Sequence, residues 1–89
     1  MPVISKFYGI IVMMYFFDRK KHKKPHIHVK YQDYESVIGL PDGKILEGSL
    51  PSPKLKLVLA WIVIHKKELI DDWNLASNGK AVFKIEPLR

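Results

Sequence analysis

The sequence predicts an α+β domain, with a mostly antiparallel four- or five-stranded sheet and one bent helix or two helices packed on one face. Three observations predict it. The first half is a succession of short β-branched and aromatic runs separated by Pro, Gly and Asp turn signals. The second half holds an apolar stretch of helical length, opened by Pro51-Ser52-Pro53 and stopped by Gly79. Finally, a chain of 89 residues, 47% of them apolar, can support one core and not two, because at this size only about 60–65% of the extended surface is buried. A single domain spanning residues 1–89 follows.

Taken in order, residues 3–17 contain Ile10, Ile11 and Val12 flanked by Phe and Tyr. The run lacks clean alternation, as in a strand buried on both faces, and is expected to be the central strand. Gly9 argues against a helix there. His26-Ile27-His28-Val29-Lys30-Tyr31 then alternates polar with apolar, the pattern of a half-buried strand, which places His26, His28 and Lys30 on one face and Tyr31 on the other. Gln32-Asp33 is a hairpin connection into the strand at 34–40. Pro41-Asp42-Gly43 is a turn into the strand at 44–50, with Pro presetting φ and Gly accepting a positive one.

Ser52 can cap a helix whose first residue, Pro53, loses no needed amide bond. A straight helix over residues 53–78 would run about 39 Å, against a radius of gyration of roughly 13 Å for such a domain. A break near His65-Lys66-Lys67 is therefore expected. It turns Leu55, Val58, Leu59 and Ile62 inward on one segment and Leu69, Trp73 and Ala76 on the other. Residues 81–85 alternate loosely and are a candidate last strand.

Fifteen basic residues stand against nine acidic, net +6, enough to make polyanions plausible partners. The excess is local. Arg19, Lys20, Lys21, Lys23, Lys24 and Lys30 face Asp18 alone within one segment, so the rest of the chain is nearly neutral. The absence of cysteine excludes disulfide frameworks, thiolate metal clusters and cysteine nucleophiles. The longest uncharged apolar run, residues 7–17, falls short of the roughly 20 residues of a membrane helix and has no small-residue cleavage site after it. A mature, cytoplasmic chain that makes no membrane contact is the expectation.

Several short motifs occur in register: Ile4-Ser5-Lys6-Phe7-Tyr8-Gly9-Ile10, Pro25-His26-Ile27-His28-Val29, Leu46-Glu47-Gly48-Ser49-Leu50-Pro51, Glu68-Leu69-Ile70-Asp71-Asp72-Trp73 and Ile85-Glu86-Pro87-Leu88. Through them the chain resembles domain-of-unknown-function family 4160 from end to end. The resemblance implies a small bacterial protein, frequently encoded beside a second small protein, and a suspected toxin component of a toxin–antitoxin pair. The chain departs from the family pattern in its basic loop, where relatives are more acidic and carry an extra proline before the histidine pair; His22 sits where many of them also have a histidine.

The candidate chemistry centres on that pair. His26 and His28, about 7 Å apart at the backbone, can share a metal ion or a phosphate, and His22 would add a third nitrogen donor. Cleavage of RNA without metal needs a base for the 2′-hydroxyl, an acid for the leaving oxygen and a cation for the developing charge. His26, His28 and Lys30 supply all three types, and Glu35 on the next strand joins them as a candidate catalytic carboxylate if register places it on the same face. Glu47 has the same condition attached. The plain alternatives are a solvated strand face, with Glu35 and Glu47 serving as cross-strand partners of Lys30 and Lys44.

Arg19, Lys20, Lys21, Lys23 and Lys24 are the candidate nucleic-acid contacts. Residues 57–64 are apolar on almost every side, so something must cover the second side of that helix. Either the rest of the chain does so, or Trp61 and Ile64 face a partner. The candidate partners are RNA, a cognate small protein encoded nearby, and a second copy of the chain; no cofactor is assigned. The functional expectation is a toxin-like protein acting on RNA, with a non-catalytic binding module and a metal-dependent enzyme as the alternatives.

Overall fold

The computed structural model describes residues 3–17 and 23–89. Five strands run as an antiparallel meander in sequence order: β1 (Val3–Phe7), β2 (Ile10–Met13), β3 (His26–Tyr31), β4 (Tyr34–Gly39) and β5 (Ile45–Gly48). Two helices follow, α1 (Ser52–Ile64) and α2 (Lys66–Ser77). The α+β class and the five-stranded count are as expected.

The origin of the fifth strand is not. Residues 3–17 do not form one central strand; they fold back on themselves as the β1–β2 hairpin, with Phe7 opposite Ile10. The two-residue loop has positive φ at both positions, Tyr8 at 51° and Gly9 at 79°, the turn whose twist matches that of the flanking strands. A Cβ at Gly9 would lie 3.3 Å from the Tyr31 ring, so this glycine serves both the turn and the close approach. The central strand is β3, which supplied the cleanest alternation in the sequence.

Residues 81–85 add no strand. The tail instead runs past the helices and is tied at three points: Phe83 N–H donates to Asp72 Oδ1 at 3.0 Å, Ile85 N–H to the Ile4 carbonyl at 2.8 Å, and the Trp61 indole N–H to the Glu86 carbonyl at 2.8 Å. Trp61 is fully buried, its ring 5.4 Å from that of Phe7. The tail therefore covers the second side of α1, and Trp61 is a core residue, not a partner-facing one. Ile64 stays 63% exposed beside Val63 at 64%.

The helical stretch breaks at His65 as expected, whose N–H closes α1 on the Trp61 carbonyl while its Nδ1 lies 2.6 Å from Glu68 Oε1. Ser52 is not the cap. Pro51 takes that position, its carbonyl accepting from the Lys54 and Leu55 amides, and no side chain closes the end. Val58 and Ile62 point inward as expected, Leu55 and Leu59 are half-buried, and Leu69, Trp73 and Ala76 form the buried stripe of α2. These pack with Ile4, Ile10, Val12, Ile27, Val29 and Ile38 into one core between sheet and helices.

Asp72 also lies inside, 2% exposed, with Oδ2 lacking a hydrogen-bond partner. Burial pushes its carboxyl above the ordinary 3.8, opposed by the Phe83 amide and reinforced by the neighbouring Asp71 and Glu68 charges. A native pKa above the unfolded one means the native state holds this proton more tightly, so stability is greatest below the unfolded value and falls as pH rises through the native one.

Two outcomes follow. Trp61→Ala removes a large buried side chain and the anchor of the tail and is expected to cost about 3–5 kcal/mol in urea unfolding. Asp72→Asn keeps the volume and removes the titration, so its stability, measured by denaturant midpoints at pH 4 and pH 7, is expected to gain on the native protein as pH rises; parallel pH profiles would refute the assignment.

Candidate functional site on the open face of the sheet

In an antiparallel pair, directly opposed residues point to the same side, so the register decides which side chains meet. Met13 is opposite His28, His28 opposite Val37, and Val37 opposite Glu47. One row thus crosses four strands on the face opposite Ile27 and Val29. The adjoining row sets Ile11 opposite Lys30 and Lys30 opposite Glu35. Both carboxylates therefore share the face of His28, which settles the question the sequence left open.

These rows line a concavity of about 300 Å³ that also takes in Tyr15, Ser36 and Gly48. Val37 and Met13, both 8% exposed, contribute its apolar surface. Tyr15 sets its ring edge-on to His28, centroids 4.4 Å apart. Lys30 Nζ lies 3.9 Å from Glu35 Oε1, with both side chains at least half exposed, a contact worth little to stability but one that holds a cation beside His28.

The β4–β5 side of the site is fixed by backbone fit. Gly48 has φ of +70°, and a Cβ there would run into the Glu35 carbonyl oxygen. That carbonyl accepts the Ser49 N–H at 3.2 Å, and the Ser36 hydroxyl donates to the Glu47 carbonyl at 2.9 Å. Glu47 stands on the Val37 and His28 row.

His26 departs from expectation. It lies on the same side of β3 as His28, with ring centroids 5.4 Å apart, yet it is 1% exposed and packs 4.8 Å from the Trp73 ring. Its Nδ1 lies 2.8 Å from the Lys24 carbonyl, which can only accept, so Nδ1 carries the proton. Lys24 is itself held by Asp42 at 3.1 Å, and the Pro25 carbonyl by the Leu40 amide at 2.8 Å. The Lys44 amide, then the Lys24 ammonium, hold the Asp42 carboxyl below the ordinary carboxylate range. His26 is thus part of the packing behind the site and not of its exposed surface.

Lys23 and Lys24 are exposed; Arg19, Lys20, Lys21 and the metal candidate His22 lie outside the described residues. Among the described residues no three metal-ligating side chains cluster. Tyr31 faces the helices, as its place in the alternation required, with Lys54 Nζ 5.0 Å over its ring. Glu47 is the site residue that sequence reasoning weighed and left out of its catalytic set; its signal was only the conditional one of register.

Fold and site together define a small α+β domain with a half-polar concavity on the open face of a five-stranded meander. The chain belongs to the family described as a domain of unknown function (DUF4160), whose model matches residues 9–74. That match takes in the His26/His28 and Glu47 motifs and the Glu68 to Trp73 motif, and leaves most of the first motif and the last one outside it. No curated protein and no solved structure matches the chain.

Exchanging each histidine for alanine separates their roles. His28→Ala is expected to leave stability within about 0.5 kcal/mol, whereas His26→Ala, losing the Trp73 contact and the Lys24 bond, costs about 1–3 kcal/mol. Equal costs in urea unfolding would contradict this division.

Proposed function

We propose that the chain is the toxin-like member of a toxin–antitoxin-type pair, working in the cytoplasm and acting on RNA at the open face of its sheet. The observation that carries this reading is the convergence of His28, Lys30 and Tyr15 on one concavity of about 300 Å³. An imidazole can move a proton, an ammonium can meet phosphate charge, and an aromatic ring offers a surface for an unstacked base. Single-stranded RNA is the polyanion that presents all three partners at once. The exposed Lys23 and Lys24, in a protein of net charge +6, favour its approach.

Lys30 and Glu35 work as a pair at the rim, the carboxylate orienting the ammonium until phosphate replaces it. Exposed Val63 and Ile64 at the end of α1 offer an apolar surface to a cognate small protein, Trp61 having gone into the core. The resemblance to a family with paired genes supports such a partner.

Expression of the chain alone is expected to arrest growth, co-expression of the neighbouring gene product to restore it, and His28→Ala to abolish the arrest while the protein remains folded by circular dichroism. Unimpaired growth, with no RNA bound or cut by the purified protein, would refute the reading.

A further inference from the structure

Among the described residues His26 is buried and His28 is the histidine that lines the concavity, whereas cleavage of RNA by its own 2′-hydroxyl needs two proton-transfer groups, one at each end of the breaking and forming bonds. We propose that Glu47 is the second, and that Glu47 and His28 are the base and acid of a metal-free transesterification across Val37. This inference rests on the RNA reading above and assigns the chemistry of the same site.

Register carries the argument. His28, Val37 and Glu47 occupy one row on three successive strands, so the backbones of His28 and Glu47 are two strand spacings apart, roughly 9–10 Å. Val37, 8% exposed, is the apolar residue between them. His28 and Glu47 stand at the two ends of that row and both line the concavity of about 300 Å³. Glu35 is placed differently, one row along and opposite Lys30. The rigid β4–β5 junction made by Gly48, Ser49 and Ser36 fixes the backbone from which Glu47 projects.

The roles follow from what each group can do. An ionised carboxylate only accepts, and an imidazolium donates. The 2′-oxygen forms its bond to phosphorus as its proton passes to Glu47; the bond from phosphorus to the 5′-oxygen breaks as that oxygen takes a proton from His28. Lys30, two residues from His28 on the same face, meets the charge that gathers on the non-bridging oxygens. The products are a 2′,3′-cyclic phosphate and a 5′-hydroxyl, and exchange with solvent resets both groups.

The test uses the full chain and an end-labelled oligoribonucleotide, beside its 2′-O-methyl counterpart, which can be bound and not cut. The expected result is cyclic-phosphate and 5′-hydroxyl ends, with Glu47→Gln slowing cleavage by about 10²–10⁴-fold, removing the acidic limb of the pH–rate profile and leaving the affinity for the 2′-O-methyl strand unchanged. Glu47→Asp, which keeps the charge and retracts it, should cut at an intermediate rate, and Asp33→Asn on the hairpin turn should match the native protein. A Glu47→Gln variant that cuts at the native rate or keeps the acidic limb overturns the pair and leaves the RNA reading standing. Ends bearing 5′-phosphate, or binding without cutting, overturn the pair as well. A native protein that neither binds nor cuts RNA overturns the reading on which the pair rests.

Discussion

Everything in this fold depends on the pairing register of β3. It is the central strand, and its alternation sends Ile27 and Val29 to the helices and His28 and Lys30 to the open face. A slip of one residue would exchange those sets, putting a histidine and a lysine into the core and two β-branched side chains into water. The core fixes the register and the register builds the site. That is why the concavity is made, Tyr15 apart, of strand residues held by hydrogen-bonded neighbours, the kind of rigid support that keeps reacting groups at fixed separations.

Two junctions keep the register from drifting at its edges. At one end the Tyr8-Gly9 turn pins β1 to β2 while the Gly9 backbone comes up against Tyr31 on β3. At the other, Gly48 lets β5 approach the Glu35 carbonyl closely enough that any side chain would collide. Irregular pairing occurs beside each edge strand, between Val3 and Ser5 and between Val37 and Ile38. Bulges of this kind twist the outer strands and re-aim side chains, and the second lies beside Val37, between the two groups assigned to the chemistry.

How much was legible in the sequence follows the range of the interaction responsible. The Gln32-Asp33 hairpin, the Pro41 to Gly43 turn, the break at His65 and the alternation of β3 are local and were read correctly. The β1–β2 hairpin was readable in principle from Gly9, but an unbroken apolar run masks a turn when its first loop residue is a tyrosine at φ of 51°. The fate of Trp61 was beyond local reading, because its cover comes from Glu86, 25 residues on. His26 is hidden by Trp73 from another element altogether, and no pattern within β3 distinguishes it from His28. Glu47 depended on a register that only the assembled sheet defines.

The same long-range contact that hides His26 also connects the two layers of the protein. The rings of Trp73, His26, His28 and Tyr15 follow one another at 4.8, 5.4 and 4.4 Å, a continuous line from α2 to the edge of the concavity. His26 is fixed in it by the bond from Nδ1 to Lys24, and α2 by Asp72, which ties it to the tail that also closes over Trp61. Aromatic packing of this kind is too dense to deform gradually. Displacing α2 or the tail would therefore be felt at His28 as a lost ring contact, so the packing of the helices and the placement of the imidazole are parts of one constraint.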